Sequence, residues 1–270
     1  MAQETRRCSV TVPCLIDLHL HLDGSLSPAT ARALAAMQGI SLPQDPAALD
    51  RLLHCPAGCR DLNEYLACFD LPLSLLQTGE ALREATRRLL GELAAEGCLY
   101  AELRFAPQSH GRKGMSQEQA VRAVLEGMES SPFPVGLILC AMRGNDNEAA
   151  NRETLRLAER YLGRGVVALD LAGAEALFST RQFAPLFALA QEKGVPFVIH
   201  AGEADGPASV AAALEMGPRR IGHGVRALED PALTARLARE QIPLTVCPTS
   251  NLDTRIFARL EEFPLRAMLE

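Results

Sequence analysis

The stretch "LIDLHLHLDGSLSPAT" (residues 15–30) decides how the chain is read. Its apolar run predicts a buried strand over 15–20, and Asp23-Gly24 ends it. Ser27 followed by Pro28 is an N-cap and first-turn pair, so a helix starts there. One strand, one turn and one helix make a β/α unit. Yet the strand carries His19 and His21. Strand side chains alternate, so both imidazoles point to the same side of the sheet.

The same alternation continues along the chain. Apolar, β-branched runs predict further strands at 98–105, 134–142, 166–171, 195–200, 219–223 and 243–247. They are near-continuously apolar, as strands covered on both faces must be. Helical patterns fall between them, near 79–97, 116–129, 147–162, 180–193, 206–216 and 230–240. No internal repeat or low-complexity linker interrupts the order. Strands alternating with helices imply an α/β fold with a parallel sheet inside a layer of helices. The later strands begin at 166, 195, 219 and 243, so an eighth is due just after about 265. Residues 262–270, "EFPLRAMLE", read as a helix instead. The expectation is a single (β/α)8 TIM-barrel domain over 1–270 lacking its eighth strand. A doubly wound open sheet is the alternative, although no G-x-G-x-x-G follows any strand.

Composition narrows the class. The 270 residues are 48% hydrophobic and 22% charged, with a net charge of −6 and no Lys/Arg cluster, which disfavours a nucleic-acid surface. No apolar stretch approaches a membrane span, and no apolar core follows the Arg pair of "MAQETRRCSV" as a secretory signal would require. Cys8, Cys14, Cys68, Cys98, Cys140 and Cys247 are scattered, and Cys55 and Cys59 match no metal or redox motif closely. Buried, reduced thiols in a cytoplasmic protein are the simplest reading.

Functional groups of parallel α/β folds collect at the C-terminal ends of the strands. His19, His21 and Asp23 end the first strand, Glu102 and Arg104 the second, Asp170 the fourth, His200 the fifth with Glu203 just beyond, and His223 the sixth. His54 and His110 fall in connections and receive no role. A single strand-end histidine is usually a hydrogen-bonded structural residue. A His-x-His pair with a third imidazole from another strand at the same rim is a natural set of three ligands for a zinc ion, with a position left for water. Glu203 is then a candidate general acid or base rather than a surface glutamate, and His223, between two glycines, a candidate base rather than a packed core residue. Together these residues point to metal-assisted hydrolysis, without naming the substrate.

Seven stretches together resemble the adenosine deaminase family of metal-dependent hydrolases: "DLHLHLDGS" (17–25), "AELRFAPQ" (101–108), "ILCAMR" (138–143), "ALDLAGAE" (168–175), "VIHAGE" (198–203), "RIGHGV" (220–225) and "VCPTSN" (246–251). The resemblance implies one zinc ion held by His19, His21 and His200 at the barrel mouth. It implies that an activated water adds to purine C6, that His223 orients or deprotonates it, and that Glu203 protonates ring N1. Ammonia then leaves. His21 also faces the substrate, the Gly173 N–H meets purine N3, and Asp23 accepts from a ribose hydroxyl. The partner is a purine nucleoside, adenosine or 2′-deoxyadenosine, converted in purine salvage. The segment at about 43–78 resembles a helical insertion that lids the pocket, or else is a plain pair of outer helices.

One family feature is missing. Family members carry an Asp-Asp pair at the end of strand eight, and Asp253 in "SNLDT" lies too early to supply it. The expectation is that a C-terminal part lies beyond residue 270, and that these residues alone turn over weakly or not at all. The competing readings are a deaminase of adenine or another aminopurine, a catalytically impaired nucleoside-binding homologue, and an unrelated metallohydrolase.

Overall fold

A computed structural model describes residues 15–56 and 58–269. The strands are β1 (Leu15–His21), β2 (Cys98–Phe105), β3 (Val135–Met142), β4 (Val166–Ala172), β5 (Val198–Ala201), β6 (Arg220–His223) and β7 (Leu244–Thr245). All pair in parallel. β1 to β4 form one run in sequence order and β5 to β7 a second. A parallel bridge between Leu169 and Phe197 joins the two runs. A doubly wound sheet reverses direction at its switch point. Here every strand pairs with its sequence neighbour, so the open-sheet alternative is excluded and the chain has the (β/α)8 class of architecture. Among the described residues there is no eighth strand, and no backbone ladder joins β7 to β1.

The helices are α1 (Pro28–Gln38), α2 (Pro46–Leu53), α3 (Leu62–Leu66), α4 (Asp70–Leu75), α5 (Gly79–Ala95), α6 (Gln117–Met128), α7 (Glu148–Tyr161), α8 (Ala184–Glu192), α9 (Pro207–Glu215), α10 (Pro231–Glu240), α11 (Pro248–Asp253) and α12 (Leu265–Leu269). Local chemistry sets their ends. Ser27 caps α1 by accepting from Thr30 N, and Gly39 closes it in the left-handed region. Ser116 and Gln119 form a reciprocal capping box at α6. Prolines explain the departures from the expected ranges. Pro196 offers no ladder N–H, so β5 begins at Val198 rather than 195. Pro248 starts α11 directly after Cys247, which leaves β7 two residues long. The helix expected over 180–193 opens with a 3₁₀ turn, Thr180–Phe183, before Pro185 admits α8. Segment 43–78 folds into α2, α3 and α4, three short helices.

Alternation along each strand separates two interiors. One set of positions, including Leu103, Phe105, Leu137, Leu139, Leu169, Leu171 and Ile199, packs into one large apolar cluster with the surrounding helices. The other set faces the barrel axis. There Ile138, Ala168 and Val198 form one small cluster, and Ala106, Cys140 and Ala172 another. The same strand face carries His19, His21, Arg104, Asp170 and His200. An axis lined partly by charge is the first structural sign that the barrel interior does more than pack. Among the described residues, no helix is long and apolar enough to cross a membrane.

Of the expected thiols, Cys8 and Cys14 lie outside the described residues. The other six are free, and three of them (Cys55, Cys68, Cys247) are only half-buried rather than buried. Of these, Cys68 sits in the 3₁₀ turn Ala67–Phe69 and Cys247 lines the cavity described below.

Candidate active and metal site

The structure brings His19, His21 and His200 together at the C-terminal rim. His200 Nε2 lies 3.0 Å from His19 Nε2 and 3.2 Å from His21 Nε2. The far side of two rings is anchored: His19 Nδ1 is 3.0 Å from the Thr245 hydroxyl and His200 Nδ1 is 3.1 Å from Asp170 Oδ1. A neutral imidazole with its proton on Nδ1 presents only a lone pair at Nε2. Burial, reinforced by the neighbouring cationic and imidazole groups, pushes the pKa of His19 well below the usual histidine value, and that of His21 likewise. His19 and His21 thus present buried, neutral rings to His200 Nε2 across about 3 Å, an arrangement that a cation satisfies. Tetrahedral zinc with Zn–N of about 2.0–2.1 Å sets its ligand atoms about 3.3 Å apart.

Gly222 makes this cluster possible. A Cβ there would meet His19 Cε1 at 3.2 Å and the His200 Cα at 3.3 Å. The glycine therefore serves ring packing between β5 and β6, more than backbone approach to a ligand. A second donor group, His19 with His223 and Cys247, overlaps the first. Burial and the nearby Glu203 push the Cys247 thiol up to about 12. A thiol held protonated is a poor ligand, so the three imidazoles fit a cation better. Among the described residues no carboxylate joins either group.

Behind the imidazoles stands a fully buried ion pair. Arg104 Nη1 donates to Asp170 Oδ2 at 2.6 Å, and Nη2 donates to the Leu18 carbonyl at 2.6 Å. Both side chains have zero exposure. Burial works against the Asp170 charge, but the facing His200 ring and Arg104 outweigh it and hold the carboxyl at about 2. Arg104 and Asp170 stood out in sequence only as charges within apolar runs. Their joint task of orienting His200 becomes visible once β2, β4 and β5 are side by side.

Glu203, on the loop after β5, and His223, the last residue of β6, face each other. Glu203 Oε2 lies 3.4 Å from His223 Nε2, and Oε1 accepts from the Ser250 hydroxyl at 3.1 Å. Burial, aided by the negative Glu175 nearby, raises the Glu203 carboxyl to about 8. It is thus protonated at neutral pH and can act as an acid. Burial, then the His200 and Arg104 charges, keep His223 neutral and able to accept a proton. His223 adopts a left-handed φ of 62°, strained for a non-glycine residue, and its Nδ1 is buried without a hydrogen-bond partner.

These groups open into a cavity of about 370 Å³, within the range of small-molecule sites. Asp23 lines it, 6% exposed, with Oδ1 unpartnered and burial raising its carboxyl to about 7. Gly173 lines it too, at a φ of 105° that side-chain-bearing residues rarely adopt. A Cβ at Gly173 would meet its neighbours at 3.4–3.5 Å, ordinary contact. The backbone angle by itself already calls for glycine there. Leu62, Tyr65, Leu66 and Phe69 from the 43–78 segment cover one side, and Leu73 joins them. Cys140, Cys247 and Ser250 complete walls that the sequence did not single out. Among the described residues, no lysine or arginine lines the cavity. His110, given no role, is buried against the Leu76 carbonyl at 2.8 Å, while His54 pairs with Asp50 at the surface.

The sequence matches the adenosine deaminase family over residues 14–270. It is 53% identical over 264 residues to adenosine deaminase of Haemophilus ducreyi, an alignment covering 94% of this chain and 77% of that protein. It is 40% identical over 259 residues to adenosine deaminase of Enterococcus faecalis, with the same coverage. Among solved structures it resembles an adenine deaminase from Arthrobacter aurescens, with a TM-score of 0.84 and 32% identity over 95% of this chain and 79% of that one. It also resembles an Arabidopsis N6-mAMP deaminase, with a TM-score of 0.80 and 26% identity over 95% and 78%.

Proposed function

The chain belongs to the adenosine deaminase family, and from that membership we propose that it hydrolyses adenosine and 2′-deoxyadenosine to inosine and deoxyinosine with release of ammonia, using one zinc ion held by His19, His21 and His200. The reaction belongs to purine salvage in the cytoplasm. The observation that carries this reading is the convergence of three imidazole Nε2 atoms at 3.0 and 3.2 Å on the floor of a cavity walled by Glu203 and His223.

A zinc ion there supplies Lewis acidity, which makes water a nucleophile at neutral pH. The chain's own groups do the rest. Glu203 gives its proton to purine N1, which drains electron density from C6. His223, neutral and facing the same space, takes a proton from the attacking water and passes one to the amino group as the C6–N bond breaks and ammonia leaves; the proton of the C6 hydroxyl returns to Glu203. Gly173 offers its N–H toward purine N3, and His21 borders the bound base. The helices of segment 43–78 act as a lid, excluding water and strengthening each of these polar contacts.

Asp23 favours a nucleoside over a free base. A buried carboxyl oxygen with no partner calls for a donor, and a ribose hydroxyl, which free adenine lacks, supplies one. A nucleoside monophosphate is disfavoured, because among the described residues no lysine or arginine lines the cavity to receive a phosphate. The test is the ultraviolet absorbance change on converting adenosine to inosine, with and without a chelator. Turnover of adenosine that stops on chelation and returns with zinc supports the reading. Faster turnover of adenine, or tight nucleoside binding without ammonia release, overturns it in favour of an adenine deaminase or an impaired binding homologue.

A further inference from the structure

The sequence motif "DLAGAE" contributes more than its glycine. Glu175 is 2% exposed and accepts five hydrogen bonds. Oε1 accepts from Gly202 N at 2.7 Å and from the Ser209 hydroxyl at 2.5 Å. Oε2 accepts from Glu203 N at 3.0 Å, Ala204 N at 2.7 Å and Asp205 N at 3.1 Å. Four consecutive backbone N–H groups therefore wrap one carboxylate. Gly202, at a φ of 71°, starts the turn that aims them inward. These donors belong to no helix or strand, and without the carboxylate the buried ones would be orphaned.

The two ends of this clamp border the same cavity. Glu175 lies two residues past Gly173, on the loop after β4, and grips the loop after β5 that carries Glu203. Arg143 braces the arrangement, donating to the His200 carbonyl at 2.6 Å and to the Thr180 hydroxyl at 2.9 Å, which in turn bonds Ser209 at 2.7 Å. Glu203 itself has one side-chain hydrogen bond, from Ser250. Its place is thus set chiefly by its backbone.

We propose that Glu175 is a positioning residue for the deamination: its carboxylate locks the 202–205 turn to the Gly173 loop and so fixes Glu203 opposite the purine ring. This rests on the function proposed above. Glu175 touches neither substrate nor metal and acts through Glu203. A misplacement of about 1 Å at a reacting group costs about a hundredfold in rate.

The experiment is a double-mutant cycle on the full chain with Glu175→Gln and Glu203→Gln. Glu175→Gln keeps the shape but turns an acceptor into a donor facing N–H groups. It should lower kcat about 100-fold, change KM by less than about threefold, and leave bound zinc unchanged. In the Glu203→Gln background it should cost less than about threefold, because the residue it serves is already disabled. Losses that multiply would overturn the proposal. Hydrogen exchange of the 202–205 amides gives a reading that needs no turnover: it should accelerate in Glu175→Gln, and unchanged protection would overturn the clamp. Accelerated exchange in Glu175→Gln, where the wild-type protein leaves adenosine untouched, would keep the clamp and discard the adenosine assignment. Should Glu175→Gln fail to fold, Ser209→Ala removes one bond at lower cost, and it should still speed exchange at 202–205. Unchanged exchange there would overturn the proposal.

Discussion

Asp170 holds His200 by its rear nitrogen, with the two carboxylate oxygens 3.0 and 3.1 Å from Nδ1. That contact fixes the tautomer, so Nε2 reaches the cluster as a lone pair. Replacing Asp170 by Asn should weaken zinc binding about 10- to 100-fold, the usual cost of removing such a partner from a ligating imidazole. Competition against a chromophoric chelator measures it. Arg104 would also be left buried without its counter-charge, a loss of about 3–5 kcal/mol, so the midpoint of denaturant unfolding should fall as well. Unchanged zinc affinity in a folded variant would refute the role.

Metal removal should destabilise the native chain, not only silence it. Three imidazole Nε2 atoms are crowded together, His200 at 3.0 Å from His19 and 3.2 Å from His21. A ligand that binds only the folded state adds about 4 kcal/mol at a thousandfold excess over its Kd. For a domain of this size that corresponds to a rise in Tm of roughly 10 °C. Differential scanning calorimetry of chelator-treated protein, with and without added zinc, gives the number. No rise in Tm would remove zinc from the three imidazoles.

The pH profile follows from Glu203. Its carboxyl is raised to about 8 by burial first and Glu175 second, against the opposing effects of Ser250 and Arg143. His223 faces it and stays neutral. The protonated form is the working acid, so activity is retained below the folded pKa and lost as pH rises through it. We expect kcat/KM for adenosine to fall above about pH 8. Glu203→Gln should lower kcat by at least about 100-fold and abolish that alkaline limb. A limb that persists in the variant would assign the titration to another group.

Much of the fold was legible because covered parallel strands write themselves as apolar runs, and the seven runs became seven strands. What escaped was set by proline and by distant partners. Pro248 opens α11 directly after the expected seventh strand, and its six residues show no helical period. At the site, the His-x-His spacing of 19 and 21 could be read because alternation along one strand fixes it. Thr245 behind His19, Asp170 behind His200 and Glu175 beneath Glu203 could not be assigned those partners. Each pair joins residues that no local pattern relates. The helices of segment 43–78 were implied by the resemblance and not by a pattern of their own; they meet the site through Phe69, set edge-on to His21 at 6.5 Å.

Asp23 offers the sharpest test of substrate choice. Its unpartnered Oδ1 is buried at the cavity wall, where nothing in the free protein compensates it. A hydrogen bond between a ribose hydroxyl and this carboxylate is of the charge-assisted kind, about 1.5–3 kcal/mol. Asp23→Ala should therefore lower kcat/KM for adenosine by about 10- to 100-fold. Adenine, which has no hydroxyl to lose, should be affected by less than about threefold. Adenosine 5′-monophosphate should remain a poor substrate of both proteins, since removing an acid adds no cation to the wall. Steady-state assays with the three purines side by side separate the cases. Equal losses for adenosine and adenine would mean that Asp23 supports the wall rather than the sugar, and the preference for a nucleoside would then have to come from the lid helices alone.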